Sequence, residues 1–214
     1  MLHLDSQRIE ELPSRYRAHM INSMSGYKSC NLIGTRSSGG NANVAIFNSV
    51  LHIGSSPAML GFLLRPLTVR RDTFDNLIQT GQFTVNQVSS KMVEQAHQTS
   101  AKYGQNESEF RAVGFTEEYM APFEAPYVAE SNLKIGCRYK NHYTLEENGC
   151  LLIIGTIEHI YLPEGIQDPD GFVRLDKIDA VASTGLDGYA LPEFLGRLDY
   201  ARPGHPTKPL AHGT

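Results

Sequence analysis

Three arginines, Arg65, Arg70 and Arg71, fall within seven residues of the segment RPLTVRRDTF, which runs from 65 to 74. Guanidinium groups bind phosphate oxygens in a forked geometry that lysine cannot reproduce. Thr68 and Thr73 lie among them and add hydroxyl donors. The segment ends where a helix is expected to begin, so unpaired backbone N–H groups and the positive end of a helix dipole would face the same place. This combination suits a phosphate. A solvated turn whose arginines pair with Asp72 and Asp75 accounts for the cluster equally well.

Two further groups carry polar chemistry. In GGNANVAIFNSV, Asn41, Asn43, Asn48 and Ser49 are embedded in or beside apolar sequence, where an unpaired polar side chain would cost about 1–3 kcal/mol. A planar heterocycle with carbonyls and ring nitrogens would satisfy them, and so would neighbouring strand or turn backbone, the commoner arrangement. KMVEQAHQTSAKY (91–103) offers His97, Thr99, Ser100 and Lys102, while Met92, Val93 and Ala96 can pack inward. A solvated helix face is the default for such residues; His97, next to Ala96, is the exception worth testing.

The surrounding pattern is mostly β. Residues 1–20 are polar, with a short helix expected over Ser6–Leu12 and broken by Pro13. GYKSCNLIGTRS (26–37) runs into the Gly-rich turn SGGN, predicting a first hairpin. VAIFNSVLHIG (44–54) and AMLGFLLR (58–65) are too continuously apolar for one-sided surface strands and belong in a barrel centre or under a dimer interface. Asp72 as N-cap, Phe74, Leu77 and Ile78 at helical spacing and Gly81 as the stop predict a short amphipathic helix directly after Arg71. QFTVNQV (82–88) reads as a strand and 91–103 as a helix, followed by the loop GQNES. Two long strands, 131–145 and 150–162, are joined by EENG, a tight-turn signal. VRLDKIDAVAS reads as a last strand or short helix, and ARPGHPTKPLAHGT as a tail with little order. No βαβαβ alternation supports a parallel sheet; the expected fold is mainly β, an antiparallel β-barrel with short helical insertions.

Composition excludes several classes. The 214 residues fit one large domain, and 19 Lys+Arg against 23 Asp+Glu give a net charge of −4, which argues against general nucleic-acid binding and for a local anion site. Cys30, Cys137 and Cys150 form no CxxC pair and are expected as small buried hydrophobes in a reducing cytoplasm. No apolar leader or membrane-length segment is present, so a soluble cytoplasmic protein is expected. GxGxxG after a strand, GxxxxGK[ST], GxSxG and HExxH are all absent, and the scattered histidines give no metal site.

These segments, taken in order, resemble the flavin reductase-like family: the strand GYKSCNLIGT, the turn and strand NANVAIFNSV, SSPAMLGFLLRP, the helix-strand unit RRDTFDNLIQTGQFTVN, AHQTSAKY, and the late LDGYALPEFLGRLDYARP. The resemblance covers roughly residues 20–203. NVAIFNS is nearer the subgroup with an N-x-A-x-F-x-S strand than the one with TANSF. What it implies is an FMN-binding split barrel, an antiparallel split β-barrel of Greek-key type, over residues 21–200, with an N-terminal extension at 1–20 and a flexible tail at 201–214. By the same resemblance, Asn43, Val44, Ala45, Asn48 and Ser49 would contact the isoalloxazine ring. Arg65, Thr68, Arg70, Arg71 and Thr73 would hold the ribityl phosphate. His97, Ser100 and Lys102 would face the flavin or the nicotinamide, with Lys102 as a cation near N1 and the C2 carbonyl. The implied activity is an NAD(P)H:flavin oxidoreductase: hydride passes from NADH or NADPH to N5 of FMN and onward to free flavin or a partner protein. No protein nucleophile or acid/base is then needed, because the cofactor carries the chemistry. The family's usual homodimer places each FMN near the subunit boundary, where the C-terminal segment would wrap the partner. A non-enzymatic FMN electron carrier of flavoredoxin type and a cofactor-free dimeric interaction domain are the competing expectations.

Overall fold

The computed structural model describes residues 1–104 and 107–210. Two helices open the chain, α1 (Ser6–Glu11) and α2 (Ser14–Met24), followed by β1 (Lys28–Ser29), β2 (Asn31–Arg36), β3 (Ala42–Phe47), β4 (Val50–Ser55) and β5 (Ala58–Leu64). Then come α3 (Asp72–Thr80), β6 (Gln82–Gln87), α4 (Val93–Gln98) after a 3-10 turn at Ser90–Met92, α5 (Glu109–Val113), β7 (Glu117–Glu118) and β8 (Tyr127–Val128). The long strands β9 (Lys134–Thr144) and β10 (Leu151–Tyr161), a 3-10 turn at Leu175–Ile178, β11 (Ala182–Thr184) and β12 (Gly188–Ala190) complete it.

Seven strands form one antiparallel sheet in the order β3-β2-β6-β9-β10-β5-β4. Its two edge strands, β3 and β4, are consecutive in the chain with only Asn48 and Ser49 between them. The sheet must therefore curl until its edges approach, and aromatic contacts record the closure. Phe47 at the end of β3 meets Phe62 of β5 with ring centroids 5.0 Å apart, and Phe62 meets Phe83 of β6 at 5.4 Å. Ile33, Phe62, Leu64, Phe83, Val85, Cys137, Leu151 and Ile153 fill the interior. Because β3 and β4 approach without pairing, the barrel is open at that seam. A second core lies on the other face of β2 and β3, where Leu32, Val44, Val88, Met92, Ala96 and Phe110 pack α4 and α5 against the sheet.

The expected run 44–54 is not one strand. It breaks at Asn48 and Ser49, because a two-residue corner is the shortest way to carry the chain from one edge of a curled sheet to the other. The expected first and last hairpins form as β2–β3 and β9–β10. Gly81 ends α3 in the left-handed conformation (φ 68°), as its type and position predict. The start of α3 differs from expectation: Arg71 occupies the N-cap position and Asp72 is the first helical residue, because the Asp72 carboxylate is taken by Arg70 at 2.8 Å. The 91–103 helix shortens to α4. Helix α2 had no sequence signal, since none of its residues is buried and it presents no apolar stripe. At the C-terminal end, Leu198 pairs with Pro209 and Arg202 with His205, so the described part of the Pro/Gly-rich tail is a hairpin, its polar sequence held by backbone bonds such as Asp199 N–H to the Lys208 carbonyl.

Candidate functional site

The arginine segment is a loop between β5 and α3, with Pro66 packed on Gly149 of the β9–β10 turn. Its three arginines are not equivalent. Arg70 lies 2.8 Å from the Asp72 carboxylate and 3.4 Å from that of Asp75, so its charge is already compensated. Arg65 and Arg71 have no ion pair among the described residues. Arg65 and Thr68 are exposed. Arg71 is half-buried, and its Nε is sealed from solvent without a hydrogen-bond partner. Leaving a charged donor unpaired in this way is costly, and Arg71 is the N-cap of α3, where no side chain caps the helix.

Thr73, the second residue of α3, is buried and hydrogen-bonds Asn43 of β3 at 3.2 Å. Thr35 of β2 joins them, receiving the Asn76 amide at 3.1 Å and lying 3.4 Å from Asn43 Nδ2. Glu109, at the start of α5, closes the group from the other side, 3.3 Å from the Asn43 amide. Burial pushes its carboxyl pKa up, reinforced by the charges of Asp72 and Glu107 and opposed by N–H groups of its own backbone and of Val44. Thr73, expected at the phosphate, and Asn43, expected at the ring, therefore meet in one buried polar cluster, whereas Arg65, Thr68 and Arg70 are exposed outside it.

At the other end of β3, Asn48 donates to the Gly185 carbonyl at 3.1 Å, and the Ser49 hydroxyl bridges the backbone of Leu63, donating to its carbonyl at 2.9 Å. Both fasten the sheet corner. Val44 is fully buried in the second core and Ala45 half-buried in the ladder with Ile33. Thr99 is buried at the end of α4 and accepts the outward N–H of Ile46 at 3.0 Å, satisfying a donor that an edge strand leaves open. His97 is exposed, and its Nδ1 hydrogen-bonds the Tyr189 hydroxyl at 2.8 Å, the rings edge-on at 5.8 Å. Burial, with Cys30 and Asp187 nearby, pushes the Tyr189 phenol to about 12, so it stays protonated at neutral pH. Ser100 and Lys102 lie exposed on the following turn.

Two groups thus stand at opposite ends of β3, roughly 15 Å apart at strand rise: Asn43 with Thr73, two residues after Arg71, at one end, and Asn48 with the His97–Tyr189 pair at the other, where Arg65 follows the Leu63 backbone that Ser49 binds. Sequence reasoning missed Thr35, Asn76, Glu109 and Tyr189. Asn76 was findable, three residues after Thr73 on one helix face; Glu109 carried no local signal. A small cavity of about 140 Å³ between Arg36, Ser37, Gly40, Thr80 and Glu124 is lined by none of the expected residues. Among the described residues no helix is long and apolar enough to cross a membrane.

An open antiparallel barrel with helices packed on one edge strand is a split-barrel architecture. Residues 24–176 match the model of the flavin reductase like domain, and the chain belongs to that family. It is similar over 94% of its length, at 46% identity and a TM-score of 0.91, to the whole of a Shewanella frigidimarina NCIMB 400 protein provisionally assigned as a flavin reductase with split barrel domain. Nitrilotriacetate monooxygenase component B from Bacillus cereus shares the fold at 20% identity and a TM-score of 0.80, over 92% of this chain and 98% of that one. The uncharacterized protein YwrF of Bacillus subtilis (strain 168) is 24% identical over 162 residues, 73% of this chain and 79% of its own.

Proposed function

We propose that this chain is an FMN-dependent NAD(P)H:flavin oxidoreductase acting as a homodimer, with the flavin laid along β3 and its phosphate at Arg71. The observation that carries the reading is the sealed, partnerless Nε of Arg71 at the uncapped start of α3. A phosphate oxygen is the acceptor it lacks, and family membership makes a flavin nucleotide the molecule that would bring one. Arg65 and Thr68 lie on the same loop, while the Thr73 hydroxyl and the N–H groups of Asp72 and Thr73 would complete the donor set. The ring would lie toward Asn48 and Ala45, with His97, Tyr189, Ser100 and Lys102 around it. FMN, when bound, supplies hydride acceptance from the nicotinamide and delivery to free flavin or an acceptor protein. The protein's part is to bind, orient and shield.

A homodimer is supported by the outer sheet face. Leu51 of β4, Leu63 of β5 and Tyr143 of β9 are exposed there, 39%, 38% and 57% respectively, and Leu63 and Tyr143 flank Leu152 in one register row across β5, β10 and β9. Leu67 and Val69 extend the exposed apolar surface into the arginine loop. Such a patch on a folded chain marks an interface, and this one would put the flavin site at its border.

Arg71→Ala tests the phosphate assignment. FMN affinity should fall about 10- to 100-fold, the worth of a hydrogen bond to a charged group, while riboflavin, which lacks the phosphate, binds nearly as before. Arg70→Ala should cost much less, because Arg70 is held by two carboxylates. Equal losses of FMN and riboflavin binding in Arg71→Ala would contradict the assignment.

A further inference from the structure

The amide of Asn43 has two hydrogen-bonding arrangements, and they differ in what they leave Thr73 free to do. In one, Asn43 Nδ2 donates to Thr73 Oγ1 at 3.2 Å and faces Thr35 Oγ1 at 3.4 Å, so the Thr73 hydroxyl proton is free to point elsewhere. The amide oxygen then lies 3.3 Å from Glu109 Oε2, a contact that requires a proton on the carboxyl, and Nδ2 stands 3.3 Å from the Val44 N, donor facing donor, unless the Val44 N–H turns to the Glu109 carboxyl. In the other, the amide is turned over. Its nitrogen donates to Glu109 Oε2 at 3.3 Å, and its oxygen accepts from the Val44 N–H at 3.3 Å and from the Thr73 hydroxyl at 3.2 Å. That arrangement suits an ionised Glu109 and consumes the only proton Thr73 has to give.

We propose that Glu109 is a positioning residue whose protonation sets the direction of the Asn43–Thr73 hydrogen bond and so decides whether the Thr73 hydroxyl donates to the anion held at Arg71. This rests on the reading of the Arg71 loop as a phosphate site. With a proton on Glu109, its O–H donates to Asn43 Oδ1, its other oxygen accepts the Val44 N–H, Asn43 Nδ2 donates to Thr73, and the Thr73 proton goes to the phosphate. With Glu109 ionised, every donor in the chain points back toward the carboxylate. Binding a phosphate group is therefore linked to uptake of one proton at Glu109, a site separated from the anion by two side chains.

The surroundings of Glu109 favour such a switch. Asp72 faces it from α3 and Glu107 from its own loop, both disfavouring the ionised form, and burial acts in the same direction. From β3 it meets the Asn43 amide and the Val44 N–H. Helix α4 contacts the end of α5 through neutral Gln95, which donates to the Val113 carbonyl at 3.1 Å. A carboxyl in this position gives up its proton above the ordinary glutamate range, and the sign of the linkage follows: as pH rises through its ionisation, the phosphate-specific part of binding weakens.

Binding of FMN and of riboflavin to the full-length protein, measured by flavin fluorescence quenching from mildly acidic to mildly alkaline pH, tests this with three variants. Glu109→Gln fixes the donor toward Asn43 and mimics the protonated state. Relative to it, wild-type FMN affinity should fall about tenfold as pH rises, with no such divergence for riboflavin. Thr73→Val should bind FMN weakly at every pH and show no divergence. FMN itself ionises in this range, but equally in both proteins, so the difference between them isolates Glu109. Calorimetry of the wild type in buffers of different ionisation enthalpy gives a second measure: FMN binding should take up more protons than in Glu109→Gln. Parallel pH curves for wild type and Glu109→Gln, or equal proton counts, would overturn the proposal. Arg71→Ala separates this from the underlying reading: if it weakens FMN and riboflavin alike, the phosphate site itself is wrong, whereas a selective FMN loss with parallel pH curves removes only the Glu109 linkage.

Discussion

At the scale of single residues, the structure separates side chains that sequence leaves equivalent. Arg65, Arg70 and Arg71 look alike in RPLTVRRDTF, yet the solvated-turn reading describes only Arg70. Arg70 is the solvated pair with Asp72 and Asp75; Arg71 is the one left with a sealed donor. Nothing local distinguishes them, because the distinction is made by which way a loop turns before α3. The embedded amides show the same limit. Asn48 and Ser49 bond to backbone at the sheet corner, and Asn43 enters a buried cluster whose other members come from β2, α3 and α5. The cysteines give a prediction at this scale. Cys30 and Cys137 are fully buried, and desolvation pushes both thiols to about 12, whereas Cys150 is half-buried. Since the thiolate is the reactive form, the folded protein at mildly alkaline pH should take one alkylating label quickly, at Cys150, and the other two only on unfolding. Mass mapping of iodoacetamide-treated protein checks this; fast labelling of Cys30 or Cys137 would contradict their burial.

At the scale of elements, hydrophobic period and turn chemistry made most of the sheet legible. Both long hairpins, the α3–β6 unit and the Gly81 stop fall where pattern placed them. What pattern could not show was the corner at Asn48 and Ser49, because an apolar run reads the same whether it is one strand or two strands meeting at a seam. Close backbone approach was equally silent. A Cβ on Gly34 of β2 would stand 2.2 Å from the Pro126 carbonyl oxygen and 2.5 Å from Thr84 Oγ1, where Thr84 already donates to that carbonyl at 2.6 Å. Gly34→Ala must push the 125–128 segment off β2 and β6. Overpacking of this kind costs about 1–3 kcal/mol, visible as a lower urea midpoint with an unchanged slope. An unaltered midpoint would mean that this packing is looser than the structure shows.

At the scale of the molecule, the family resemblance carried the split barrel and the flavin, and the proposed homodimer rests on the surface. Leu63 and Tyr143 are exposed on either side of half-buried Leu152, with Leu51 beside them and Leu67 and Val69 on the arginine loop, so the proposed phosphate end of the site would lie at the edge of this apolar face. Replacing Leu63 and Tyr143 together by glutamate should convert a dimer to monomer in analytical ultracentrifugation and weaken FMN binding while leaving the far-ultraviolet circular dichroism intact. A variant that stays dimeric would place the interface elsewhere.

The reading that binds these scales together is that the chain holds FMN and lets a nicotinamide reduce it. The visible spectrum of the protein saturated with FMN, recorded anaerobically before and after adding NADH and then NADPH, tests it most directly. The account predicts a bound flavin absorbance that bleaches with at least one of the two nicotinamides. Protein that stays colourless in FMN, or bound flavin that neither nicotinamide bleaches, would contradict it.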